Sequence, residues 1–206
     1  MHKRTIYIMI TAICLFILSA CNITEDERSR GNAELEKLRS KEVEQTTTHI
    51  ERNSSKKVFV SLKDRKQQEV ATAILTEEEQ GVRIKLTGGN FSPGKHGFHI
   101  HETGSCEGPD FSSAGEHFNP TNRSHGKKAP GGPHAGDLPN IEVANDGTVQ
   151  ADFLNEMVTL QPEKDHSLVK DGGTALVIHS DKDDYKTQPA GNAGERIACG
   201  VISEAK

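Results

Sequence analysis

Ten histidines occur in this 206-residue chain, and six of them, His99, His101, His117, His125, His134 and His179, fall in its C-terminal part together with Asp137. In an extended strand, residues two apart project to the same face, so His99 and His101 point together while Phe98 and Ile100 point to the other side, the core. Two imidazoles on one rigid strand make half of a metal site. His179 follows Ala175-Leu176-Val177-Ile178, so it ends a buried strand and offers a third nitrogen from across a sheet. His125, His134 and Asp137 lie in a Gly/Pro-rich loop that has few apolar residues to hold one shape. Three neutral nitrogens and one carboxylate oxygen suit tetrahedral zinc, and such a loop would be organised by its metal. A single loop histidine is ordinarily a solvated polar residue; the seven side chains together carry the metal reading. His96, just before Gly97, reads as a buried side chain that hydrogen-bonds backbone, and His2, His49 and His166 as signal or surface residues.

These ligands need a scaffold. Strand-like stretches recur at Val58 to Leu62, Val70 to Leu75, Val82 to Leu86, Gly97 to His101, Ala175 to His179 and Ile197 to Ile202. Turn signals separate them at Gln80-Gly81, Gly88-Gly89-Asn90, Asn145-Asp146-Gly147 and Asp171-Gly172-Gly173. No long segment of helical period appears. The expected fold is all-β, a Greek-key barrel or immunoglobulin-like sandwich, with two long loops between Thr103 and Pro139 and between Ser180 and Glu195. Structureless loops of that length in a compact domain are usually functional.

The N-terminus points to export. His2, Lys3 and Arg4 form a positive start, and the run from Ile6 to Leu18 is apolar apart from Tyr7 and Thr11, about the length of a signal-peptide core and short for a membrane span. It ends in Leu18-Ser19-Ala20-Cys21, which resembles the bacterial lipobox. Residues 1–20 are therefore expected to be a signal peptide, Cys21 the lipidated N-terminus, and the mature protein a lipid-anchored one on the outer face of a cell membrane. Residues 21–55 are charged and polar and read as a spacer, with a weak helical pattern over residues 33–38; as coil, the 34 residues from Asn22 to Ser55 span roughly 30 Å. Residues 56–206 are then one domain. Removing residues 1–20 takes Lys3 and Arg4 away, so 25 bases become 23 against 30 acids and the formal charge moves from −5 to −7. An acidic chain without a basic run argues against nucleic acid as a partner.

Five separated segments resemble copper/zinc superoxide dismutases in order and spacing: Gly97 to Glu102, Gly115 to Pro120, His125-Gly126, His134 to Leu138 and Gly191 to Ile202. The resemblance covers residues 56–204. It implies copper on His99, His101, His117 and His179, and zinc on His117, His125, His134 and Asp137, with His117 bridging the two metals and carrying a proton. It implies that Asp183 hydrogen-bonds His99 and His125, that Arg196 attracts and orients the superoxide anion, and that Cys106 and Cys199 form a disulfide pinning the long loop to the last strand. Some relatives have lost copper ligands and with them the activity; here every ligand position is filled. The loop at 184–190 is shorter than in eukaryotic relatives, and Lys186 is a candidate for part of the steering. Family members dimerise through different surfaces, so a homo-oligomer stays open. Two other classes of function use the same ligands: a surface lipoprotein that binds copper and zinc without turnover, and an envelope protein that keeps zinc for structure alone.

Overall fold

The computed structural model describes residues 35–41 and 55–204. Cys21 and residues 1–20, expected from the sequence to be a signal peptide, lie outside them. Residues 35–41 form a short helix of good helix formers, where the sequence reading expects mostly coil; its Leu35 and Leu38 are exposed. No helix among the described residues is long and apolar enough to cross a membrane.

Residues 55–204 carry nine strands: β1 Lys57–Asp64, β2 Glu69–Glu78, β3 Gly81–Gly88, β4 Gly94–His96, β5 Phe98–His101, β6 Ile141–Val143, β7 Val149–Asn155, β8 Thr174–His179 and β9 Arg196–Ile202. They form one antiparallel sheet in the order β4-β6-β7-β3-β2-β1-β9-β8-β5. β4 and β5 stand at opposite ends of that order yet are separated in sequence by Gly97 alone, so the sheet rolls up into a Greek-key barrel. The seam is held at Gly97, whose N–H donates to the Asp181 carbonyl at 2.7 Å and whose carbonyl accepts from the His179 N–H at 2.9 Å.

Alternation of apolar and polar residues sets the core. Val58, Val60 and Leu62 of β1, Ala71, Ala73 and Leu75 of β2, and Val82, Ile84 and Leu86 of β3 face inward, and the residues between them face solvent or the rim. β5 and β8 break this pattern, because every residue in them is buried. Phe98, Ile100, Leu176 and Ile178 fill the barrel core, while Ala175, Val177 and Cys199 pack on the outer face against Phe111 and Ala114 of the first long loop. A loop thus covers the outside of the barrel where β5 and β8 pair, and the histidines of these strands lie beneath it.

The Cys106–Cys199 disulfide, with Cα atoms 5.7 Å apart, fastens that loop to β9 across 93 residues of chain. In the chain-entropy account a loop of this length is worth about 4 to 5 kcal/mol through the unfolded state. Reduction is therefore expected to lower the thermal midpoint and speed proteolysis between residues 103 and 139; an unchanged midpoint in calorimetry with and without reductant would count against this role.

Candidate metal centre

β5 supplies His99 and His101 on its outer face, and two segments of the first long loop run alongside it. The Phe118 N–H donates to the Ile100 carbonyl at 2.8 Å, the Ile100 N–H to the Gly136 carbonyl at 2.9 Å, and the Gly136 N–H to the Phe118 carbonyl at 2.8 Å. These bonds place His117 beside His101 and Asp137 beside His99. β8 contributes His179, just after an irregularity in the β8–β9 register that sets it opposite Arg196. His99, His101, His117, His125 and His179 are each less than 5 % exposed, and His134 is 8 % exposed.

Two groups of donor atoms result. His99, His101, His117 and His179 form one, and His117, His125, His134 and Asp137 the other, with the ligand atoms of each within 4.8 Å of one another. In the first, His99 Nδ1 and Nε2 of His101, His117 and His179 are buried without any hydrogen-bond partner. Four orphaned nitrogens converging on one point would each cost free energy if nothing bound them, and a metal ion removes that cost. In the second, Nδ1 of His117, His125 and His134 lie 2.8, 3.1 and 3.2 Å from a single oxygen, Asp137 Oδ1. Three N–H donors exceed the two lone pairs of one carboxylate oxygen. Ligands about 2.0 to 2.1 Å from a tetrahedral ion are roughly 3.3 Å apart, close to the spacing seen. The residues therefore fit two metal ions, and His117 belongs to both groups through its two nitrogens.

The other ring nitrogens fix the tautomers. His101 Nδ1 donates to the Gly115 carbonyl at 2.9 Å, which leaves Nε2 as a lone-pair donor. Asp183, itself buried, accepts from His99 Nε2 at one oxygen and from His125 Nε2 at the other, both at 3.0 Å, and so ties the two groups together. Burial pushes His99 down to about 4 and both His101 and His179 down to about 2, which keeps these imidazoles neutral and ready to ligate. Burial alone would raise Asp137, but the hydrogen bonds from His117 and His125 win and hold its carboxyl well below the usual range. Asp183 is likewise held down against burial by His125 and His99.

Arg196 reaches the rim of the first group from β9. Its Nη1 donates to the Phe111 carbonyl and its Nη2 to the Gly115 carbonyl, both at 2.7 Å, and no carboxylate lies within ion-pair distance among the described residues. The Gly115 carbonyl thus serves both His101 and Arg196. Burial lowers the guanidinium pKa, and its charge in turn disfavours protonation of His101 and His179. His96 lies apart from both groups, its ring nitrogens 2.7 Å from the His179 carbonyl and 2.8 Å from the Ser92 carbonyl. Lys186 is exposed on its loop.

Two supporting residues, Asn140 and Gln188, carry no sequence signal. Asn140 grips Asp183 from both sides, its Oδ1 accepting from the Asp183 N–H at 2.8 Å and its Nδ2 donating to the Asp183 carbonyl at 2.9 Å. Gln188 does the same to His125. Gly126 and Gly191 have φ of +90° and +71°; a Cβ on Gly126 would meet the Tyr185 carbonyl, and one on Gly191 the Asp183 carboxylate.

The family model of copper/zinc superoxide dismutase matches residues 70–202, from β2 to the end of β9. The chain belongs to the copper/zinc superoxide dismutase family. It is 50 % identical over 147 residues to superoxide dismutase [Cu-Zn] 1 of Aquifex aeolicus, covering 71 % of this chain and 87 % of that protein. It is 54 % identical over 134 residues to superoxide dismutase [Cu-Zn] 2 of the same organism, covering 65 % of this chain and 78 % of that protein. Among solved structures, a double mutant of a SOD-like protein from Bacillus subtilis superposes with a TM-score of 0.69 at 42 % identity, over 71 % of this chain and 97 % of that one. Copper and zinc are the metals this family's name implies, and two donor groups rich in imidazole fit two such ions.

Proposed function

We propose that this protein is a superoxide dismutase with copper on His99, His101, His117 and His179, zinc on His117, His125, His134 and Asp137, and His117 shared between them. The observation that carries the reading is the convergence of four buried, unpartnered nitrogens beside a guanidinium held by two carbonyls, on which the carboxylates of Glu116 and Asp110 act from beyond ion-pair distance. Bound copper supplies the redox chemistry, in which one superoxide gives up an electron and a second takes one up with two protons, yielding oxygen and hydrogen peroxide. The protein's residues do the rest. His117 Nε2 faces the copper group and its Nδ1 the zinc group. This placement is consistent with the proton-carrier role that the family resemblance implies for His117. Arg196 has five N–H donors, two of them committed to carbonyls, and presents the remainder to an incoming anion. Asp183 keeps His99 and His125 in their ligating tautomers.

A metal-binding lipoprotein without turnover would use the same ligands but has no need of an anion guide. Superoxide consumption that scales with copper occupancy separates the two readings.

The lipobox resemblance at Leu18 to Cys21 supports export and anchoring of the mature chain through Cys21 on the outer face of a cell membrane. Wild type is expected to partition with membranes and Cys21→Ala to be released from them. A wholly soluble wild-type protein in fractionation would remove the anchor from this account.

A further inference from the structure

One side chain of the second long loop holds the main chain of a zinc-group histidine in the first. Gln188 Oε1 accepts from the His125 N–H at 2.9 Å and Gln188 Nε2 donates to the His125 carbonyl at 2.9 Å, so a single carboxamide closes on both backbone polar atoms of one residue. The amide's orientation is fixed, because Nε2 also faces the Lys186 carbonyl at 3.3 Å. Among the described residues neither backbone atom of His125 has another partner, and the His125 side chain is fully buried. The ring is already committed at both ends, Nδ1 to the Asp137 group and Nε2 to Asp183. The flanking chain is Gly/Pro-rich and supplies little apolar packing. Gln188 therefore does what packing does elsewhere: it stops His125 from sliding along or rotating about its own backbone.

We infer that Gln188 is a positioning residue for zinc, which makes zinc retention, and not copper retention, depend on the loop at 180–195. This rests on zinc occupying the group of His117, His125, His134 and Asp137. The selectivity follows from connectivity, since among the residues of the two metal groups Gln188 bonds His125 alone, and His125 is a member of the second group only. Partners that orient a metal ligand from behind typically change metal affinity 10- to 100-fold.

The test uses the full mature chain loaded with copper and zinc, and follows transfer of each metal to excess coloured chelator at pH 7. Gln188→Ala is expected to release zinc about 10- to 100-fold faster than wild type, with copper release within about twofold of wild type. Gln188→Glu keeps the size and one acceptor but has no donor for the His125 carbonyl, and is expected to behave like the alanine variant. Cobalt(II) placed in the zinc group should show a shifted ligand-field spectrum in both variants, a signature that a general loss of stability does not produce. Zinc release within twofold of wild type in both variants overturns the inference, and so does equal acceleration of zinc and copper release. A wild type that takes up no zinc overturns the zinc assignment together with it, whereas zinc-loaded wild type with unaffected variants overturns this inference alone.

Discussion

His117→Ala is expected to lose zinc, to bind copper weakly and to lose turnover by at least about a hundredfold, whereas His134→Ala is expected to lose zinc while keeping most of its copper. The difference follows from which nitrogens point where. His117 has Nε2 among the four orphaned nitrogens and Nδ1 2.8 Å from Asp137 Oδ1, so its removal takes one ligand from each group. His134 contributes Nδ1 to the Asp137 group alone. Structural zinc sites are worth about 10 to 16 kcal/mol over four ligands, so one ligand carries roughly 3, which is more than a hundredfold in affinity. Loss of a positioned proton carrier alone typically costs about 10² to 10⁴ in rate. Metal analysis after dialysis against a mild chelator checks both variants. Equal loss of the two metals from His134→Ala would mean a single cooperative site rather than two groups sharing one imidazole.

Arg196→Glu is expected to cut the second-order rate with superoxide more than Arg196→Lys does, with copper content unchanged in both. A unit charge about 6 Å from a small anion is worth about 0.7 kcal/mol in water and nearly 3 at an effective dielectric of about 20. Loss of the positive charge is thus a threefold to hundredfold effect, and reversal to a carboxylate roughly doubles it in free energy. The chain is formally −5, from 25 bases against 30 acids, so the global field opposes an anion and local cations must guide it. Arg196 is placed for this because its partners are neutral carbonyls, which hold the guanidinium without cancelling its charge. Added salt should slow the wild type by screening and slow the glutamate variant less. Stopped-flow decay at low ionic strength is the measurement. A fully metallated Arg196→Glu that matches wild type would end the steering role, and lost copper in that variant would make Arg196 structural.

The ligand set was legible in the sequence to the extent that chemistry follows from spacing along one strand. His99 and His101, two apart on β5, share a face as the pleat requires, and Phe98 and Ile100 take the core. That His179 meets them follows from β5–β8 pairing, a long-range contact that local pattern does not encode. Residue types alone also do not say which ring nitrogen of each histidine is free. The tautomers depend on backbone carbonyls such as Gly115 and on Asp183, which the fold brings in from distant loops. Asn140 and Gln188 were invisible for the same reason: a polar residue in a polar loop carries no mark of the main chain it will grip. β4 and β6 are three residues each, too short for periodicity to register, and β7 mixes Gln150 and Asp152 with small or half-buried apolar residues. The short helix at 35–41 formed on propensity, where the scarcity of apolar residues suggested coil.

The most direct test of the account is superoxide decay in the presence of the purified mature chain prepared in two forms, one carrying copper and zinc and the other zinc alone. The account predicts that decay accelerates in proportion to copper occupancy of the group formed by His99, His101, His117 and His179, and that the zinc-only form leaves the spontaneous rate unchanged. A chain that holds one copper in that group and one zinc beside it, yet does not hasten superoxide decay, would contradict the enzyme reading and leave a metal-binding protein in its place.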